Sequence, residues 1–281
     1  MQTKKSKKPV KPVTVILYLF LIILAVIYVA PLLWMLSVSL KDNAGVMAAP
    51  FALPEVFHWE NYQQAWTMGK LGTALVNSVL VCGVTLLVSL FFGAMAAFAI
   101  ARMRWNLSEA AHTFFLIGMM VPVHTVLVPV SYIIGALNLK NNIPALVMIY
   151  VAFSLPFSIL VVTNFMKGVN RSLEEAALID GATYFQIYKN VMLPMTVPAI
   201  STISIFNFLG AWNNILFPLL FINDKNLKPI ALGLLNFNGE RGSDYGPLMA
   251  AIVITVAVPL VIYLLFQEKV EGGLAAGAVK E

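Results

Sequence analysis

Six long stretches of this chain carry no charged side chain: residues 12–40, 71–101, 110–139, 141–166, 190–223 and 245–267. Each holds at least 23 residues, and all 31 Asp, Glu, Lys and Arg side chains lie in the connections and tails. A hydrocarbon core of about 30 Å is crossed by roughly 20 apolar residues in a helix, so every run is long enough to span. Only 11% of the residues are charged and 60% are hydrophobic, whereas a soluble domain has about 25% charged residues. A water-facing surface cannot be built from so few charges. Backbone groups in lipid must be satisfied within the protein, which leaves helices or closed barrels. Barrel strands would alternate apolar and polar residues, and Val15 to Val29 does not. The expectation is an all-α integral membrane protein with six transmembrane helices.

The runs place spans at about Val13–Ser39, Leu71–Ala101, Ala111–Leu137, Ile143–Phe165, Val197–Phe221 and Pro247–Gln267. Pro122 and Pro129 predict a kink or break in the third, because proline removes a helix donor and clashes with the preceding turn. The lysine-rich start precedes an apolar run too long for a signal-peptide core, so it reads as a retained first span. Grouping alternate connections gives 12 Lys and Arg on the side of both termini and 6 on the other. Cytoplasmic loops are the basic ones, so both termini are expected in the cytoplasm.

Signatures of chemistry are missing from the sequence. It has no G-x-x-x-x-G-K-[ST] loop to cradle phosphate, no H-E-x-x-H and no C-x-x-C. His58, His112 and His124 do not pair with carboxylates at metal-ligand spacing, so neither catalytic nor metal-ligating residues are expected. The single cysteine, Cys82, sits inside the second run as a small hydrophobe. No ionisable Asp, Glu, Lys or Arg falls inside a span, and proton-coupled carriers need one as a relay. A secondary carrier or channel is thereby disfavoured, while a scaffold that transports nothing is not excluded by hydropathy.

The connection Lys167–Met192 carries the most information. Ser172 and Glu175 form an S-x-x-E pattern that predicts a capping box and a helix through Leu178. Gly181 suits the left-handed position that ends a helix. Thr183 and Gln186 predict a second box, opening a helix from Tyr184 to about Met192. Pro194 disfavours helical continuation at Leu193. Ala176, Ala177 and Gly181 remove bulk, which favours close approach of another surface. Lys167, Arg171 and Lys189 are cancelled by Glu174, Glu175 and Asp180, so a helix-turn-helix that binds phosphate is disfavoured and no nucleic-acid partner is expected.

Glu175-Ala176-Ala177, then Gly181, Val191, Leu193 and Pro194 resemble the EAA loop of bacterial ABC importer permeases, pattern EAA-x3-G-x9-I-x-LP, with Val191 in place of Ile. Asn77-Ser78, Ala97-Phe98-Ala99 with Arg102-Met103, Trp212-Asn213 with Pro218, and Gly273–Lys280 are similar to the carbohydrate-uptake (MalG-like) branch. Glu268, Lys269 and Glu271 depart from the more apolar residues usual before the final glycines. The resemblance implies the type I importer (MetI-like) fold in a bacterial cytoplasmic membrane. It divides the chain into a cytoplasmic tail (1–12), a six-span permease domain (13–267, with the coupling loop at 167–194) and a cytoplasmic carboxyl tail (268–281). It implies half of a translocation pathway, completed by a second, MalF-like permease. Two cytosolic ATPases would bind ATP and Mg, which this chain would not hold. An external solute-binding protein would deliver a sugar or oligosaccharide, and the permease itself would not be an enzyme. Glu174, Glu175, Ala176, Ala177, Asp180, Gly181, Val191, Leu193 and Pro194 are the implied coupling residues. Trp212, Asn213 and Asn214, an aromatic face beside amides, are candidates for the sugar pathway. The external loop Asn223–Asp244 would reach toward the binding protein. An importer for a non-sugar solute remains the alternative within the family.

Overall fold

A computed structural model of the chain describes residues 12–239 and 242–278. The amino-terminal tail up to Lys11, Arg241 and the last three residues lie outside them, as do the side chains of Glu268, Lys269, Glu271 and Gly273–Lys280. The chain divides into two compact units, one of residues up to 66 with 237–254, the other of 67–236 with 255 onward.

The first unit begins with helix α1 (Pro12–Val38). Proline is tolerated at its start, where the missing N–H would have no partner. At 1.5 Å per residue its 27 residues reach about 40 Å, enough to cross a bilayer. Side chains such as Leu17, Phe20, Ile23 and Tyr28 are more than half exposed, as suits a helix facing lipid or another chain. Two short helices follow, α2 (Asn43–Ala48) and α3 (Glu60–Met68). Asn61, 5% exposed, fixes the turn after α1 by donating from Nδ2 to the carbonyls of Ser39 (2.9 Å) and Lys41 (2.8 Å).

The second unit is built on α4 (Leu71–Arg102), α5 (Ser108–Met120), α6 (Val123–Ala136) and α7 (Ile143–Gly168). α4 presents Ser78, Thr85, Ser89, Gly93, Ala94, Ala97 and Ala101 as its buried stripe. Small residues let transmembrane helices pack closely, and α4 lies against α7 here. A Cβ at Gly93 would stand 3.0 Å from the Ser158 Cβ, so the crossing depends on that glycine. Asn142 caps α7 by accepting from the Ala145 N–H at 3.2 Å.

The third predicted span is two helices. α5 and α6 meet at 97° across Val121-Pro122. Val121 is extended, as a residue before proline prefers, and the helix restarts beyond Pro122, whereas Pro129 is accommodated inside α6.

After α7 come α8 (Ser172–Ile179), α9 (Tyr184–Ile187), a π-turn (Tyr188–Met192) and α10 (Leu193–Met195). Then follow α11 (Val197–Trp212), α12 (Leu216–Phe221) and the short α13 (Ile230–Gly233). The fifth span is therefore interrupted at 213–215. Asn214 caps the restart, its Oδ1 accepting from the Phe217 N–H at 3.2 Å. A 3₁₀ turn (Leu234–Phe237) leads to a minimal antiparallel hairpin, β1 (Asn238–Gly239) with β2 (Gly242–Ser243). α14 (Tyr245–Ala278) completes the chain. Its helix continues through the segment expected as a carboxyl tail. Five helical segments are long and apolar enough to cross a membrane, and the bent pair α5–α6 would make a sixth.

Candidate functional site

Two regions of the second unit carry the residues singled out from the sequence. The first is the connection from α7 to α11. Its first helix does not open with the expected box: Ser172 makes no side-chain capping bond. Asn170 Oδ1 instead accepts from the Ser172 N–H at 3.0 Å, turning the chain two residues earlier. Glu175 is exposed, while Glu174 is drawn inward to Arg102, with Oε1 2.9 Å from Nε. The N–H is not aimed along this line, so the contact is an ion pair rather than an aligned hydrogen bond. It is well enclosed, with 2% of the Arg102 side chain and 14% of the Glu174 side chain exposed.

α8 ends as its glycine predicts. Gly181 has φ +81°, its N–H bonds the Leu178 carbonyl, and the Ala182 N–H bonds the Ala177 carbonyl. This pairing of the last free carbonyls is the Schellman arrangement. Among the described residues, a Cβ on Gly181 would meet nothing within 4 Å beyond its chain neighbours, so the glycine is required by the backbone and leaves that side open. The second box does form: the Thr183 N–H donates to Gln186 Oε1 at 2.7 Å and the Gln186 N–H to Thr183 Oγ1 at 3.3 Å. Ile187 and Tyr188 then enter a core with Phe98, Ala97, Met166 and Met192. The Tyr188 and Phe98 rings lie 5.3 Å apart. Burial raises the Tyr188 phenol pKa above its ordinary value.

Pro194 does not stop the helix, contrary to expectation. Leu193 is helical, and its N–H reaches back five residues to the Tyr188 carbonyl. The widened π-turn shifts the carbonyls that a proline ring would otherwise strike. Ala177 also differs from expectation, since it packs against the chain's own core around Ile187 and Met192. Ala176, Asp180 and Gly181 are exposed, Val191 and Leu193 half-buried, and Pro194 exposed. Within a few residues of the open glycine in sequence come exposed apolar side chains not singled out above: Ile179 is 86% exposed, Phe185 65% and Tyr184 52%. Their signal was available, as large apolar residues in an otherwise polar connection. Exposed apolar groups clustered in this way mark an interaction surface.

The second region is a cavity of about 220 Å³ among α6, α7, α11 and the break before α12. Tyr150, Phe153, Ser154, Phe206, Asn207 and Asn214 line it. Aromatic faces with a few amides and hydroxyls suit a neutral polar solute. Asn207, 6% exposed, donates from Nδ2 to Ser158 Oγ at 2.8 Å. The buried Tyr150 hydroxyl has no hydrogen-bond partner among the described residues. Of the three predicted pathway residues only Asn214 lines this space. Trp212 is 1% exposed and stacks on Phe208 at 5.3 Å, so it is a packing residue. Asn213 is exposed elsewhere.

The loop after α12 is held to the same unit. Asn141 Oδ1 accepts from the Asn223 and Asp224 N–H groups (2.6 and 3.0 Å). Asn77 Nδ2 donates to the carbonyls of Asn226 and Lys228, and Ser78 Oγ accepts from the Ile230 N–H at 2.7 Å. Asn77 and Ser78 thus anchor residues 226–230. Among the described residues, no cluster of His, Cys, Asp or Glu could hold a metal ion.

Comparison with known proteins matches residues 89–275 to the family described as binding-protein-dependent transport system inner membrane component. The diacetylchitobiose uptake system permease NgcG of Streptomyces coelicolor is 35% identical, covering 92% of this chain and 87% of the relative. The probable ABC transporter permease YurM of Bacillus subtilis is 34% identical over 94% and 87%. The trehalose transport system permease SugB of Mycobacterium tuberculosis is 30% identical over 89% and 92%. A chain from the crystal structure of a bacterial ABC transporter for the acidic polysaccharide alginate superposes with a TM-score of 0.80. The identity there is 20%, covering 93% of this chain and 99% of that one, which establishes the fold.

Proposed function

We propose, for a chain that belongs to the binding-protein-dependent transport system inner membrane component family, that it is the permease subunit of an ATP-driven importer of sugars or oligosaccharides. The observation that carries this is the similarity, along nine-tenths of the chain, to permeases named for diacetylchitobiose and trehalose uptake. The cavity supports it in chemical terms, since rings with amides and hydroxyls are the usual means of holding a sugar. Asn207, Asn214, Tyr150 and Ser154 would form one wall of the pathway, and a second permease chain would supply the other.

The permease sits in a bacterial cytoplasmic membrane, with both termini and the α8–α9 connection in the cytosol. The bias of basic residues supports that orientation. Two ATPase subunits supply energy and hold the ATP and Mg, and the permease has no catalytic role. They dock on α8 and α9, where Glu175, Ala176, Asp180 and Gly181 are open and Ile179, Tyr184 and Phe185 give apolar area. Val191, Leu193 and Pro194 fix how the pair joins α11. Closure of the ATPases on ATP moves these helices as a body and reorients the pathway. An external binding protein delivers the solute. A solved bacterial alginate ABC transporter in complex with an alginate pentasaccharide-bound periplasmic protein is a precedent of the same fold.

Affinity purification of the tagged chain from its native membrane tests this assembly. The expected co-purifying proteins are a second permease and an ABC ATPase. Recovery of the chain alone, under detergents that preserve other ABC complexes, would overturn it.

A further inference from the structure

Arg102 lies outside the α8–α9 connection in sequence, yet it joins three of the surrounding segments. It is the last residue of α4. Its Nη2 donates to the carbonyls of Met166 and, at 2.6 Å, Val169. These carbonyls lie at the carboxyl end of α7, which is short of partners and carries negative partial charge. Its Nε meets Glu174 in the first turn of α8 at 2.9 Å. A guanidinium can hold a carboxylate and carbonyls together because its donors spread in a rigid plane, which a lysine ammonium cannot reproduce. The two acidic neighbours on α8 therefore have different surroundings: Glu175 is open to solvent, whereas Glu174 is turned into the bundle.

We propose that the Arg102–Glu174 pair is the internal strut that makes α8 move as one body with the ends of α4 and α7, and that Glu174 is not a contact for the ATPase. This rests on the transport function proposed above. Exposed ion pairs contribute little, but an enclosed pair strengthened by two charge-assisted carbonyl bonds is stiff and directional. Without it α8 remains tethered by the connection to α7, by Ala177 and by the Gly181 turn. An ATPase could still dock and close, but part of its movement would be spent tilting α8 against the spans. Arg102 and Glu174 are positioning residues in this account.

The test uses the full transporter and the variants Glu174→Gln and Arg102→Lys, both close in size to the originals. Three quantities are measured: ATPase co-purification, sugar moved per ATP hydrolysed, and amide exchange of residues 172–179 in the full-length permease in nanodiscs without nucleotide. The proposal expects unchanged co-purification, roughly tenfold faster exchange in α8 and a fall in sugar moved per ATP, since removing one partner of an enclosed ion pair leaves the other charge uncompensated and shifts an equilibrium by at least about that factor. The double variant should be no worse than the worse single one, because two halves of one contact are not additive. Wild-type exchange and wild-type stoichiometry in both single variants would overturn the strut. Loss of the ATPase from the Glu174→Gln complex would also overturn it, by making Glu174 a docking contact. Amide exchange needs neither ATPase nor sugar, so it tests the strut even if the proposed transport function fails.

Discussion

Gly181 gives the α8–α9 connection a perturbation whose size can be worked out. Its φ of +81° is a region that costs a non-glycine L-residue about 1–2 kcal/mol, and a β-branched side chain more. Beyond its chain neighbours, no atom of the described residues lies within 4 Å of an added Cβ, so the cost is conformational and not steric. Gly181→Ala should therefore open the turn about tenfold more often, since 1.4 kcal/mol corresponds to a factor of ten. Gly181→Val should go further. The bonds at risk run from the N–H groups of Gly181 and Ala182 to the carbonyls of Leu178 and Ala177. Amide exchange at these positions, read beside ATPase co-purification, is the assay. Asn adopts the left-handed conformation with less strain, so Gly181→Asn should keep near-native exchange. Its added side chain points into open space and should reduce only co-purification. Wild-type exchange in Gly181→Val would refute the conformational reasoning.

Ala177→Asp places a carboxylate against the core around Ile187 and Met192, where an unpaired charge costs several kcal/mol. Membrane insertion should persist while co-purification of the ATPase falls at least tenfold in quantitative pull-downs. Trp212→Ala removes a fully buried ring and should destabilise the permease by about 3–5 kcal/mol, visible as a lower Tm. Tyr150→Phe removes a hydroxyl with no hydrogen-bond partner among the described residues, so melting should hold or rise while uptake falls. A cysteine introduced as Ser172→Cys should react with impermeant reagents only after permeabilisation, and labelling in intact cells would overturn the orientation.

The spans were legible because the charge-free runs reflect a physical requirement that no tertiary detail can relax. Pro122 announced the break between α5 and α6, although its 97° angle depends on what each half packs against. Gly181 and the Thr183–Gln186 box were legible because their bonds close within a few residues. The box expected between Ser172 and Glu175 does not form: Asn170 makes the turn instead, and the contact of the neighbouring Glu174 with Arg102, distant in sequence, is written in no local pattern. Pro194 misled because the π-turn before it is not written in any single residue. Trp212 looked like a sugar platform by composition, yet burial turned it toward Phe208. Tyr150, Ser154 and Asn207 were hidden as ordinary span residues, since only the packing of α7 against α11 brings them to one cavity.

ATP-driven movement of a sugar across the membrane is measured by uptake into proteoliposomes. The vesicles would contain this permease, its co-purified permease and ATPase partners and the cognate binding protein, with radiolabelled diacetylchitobiose and trehalose as the first probes. If movement is ATP-driven, accumulation requires ATP, stops when the ATPase is omitted, and is absent when this chain is reconstituted alone. Uptake by the single chain without ATP would contradict it.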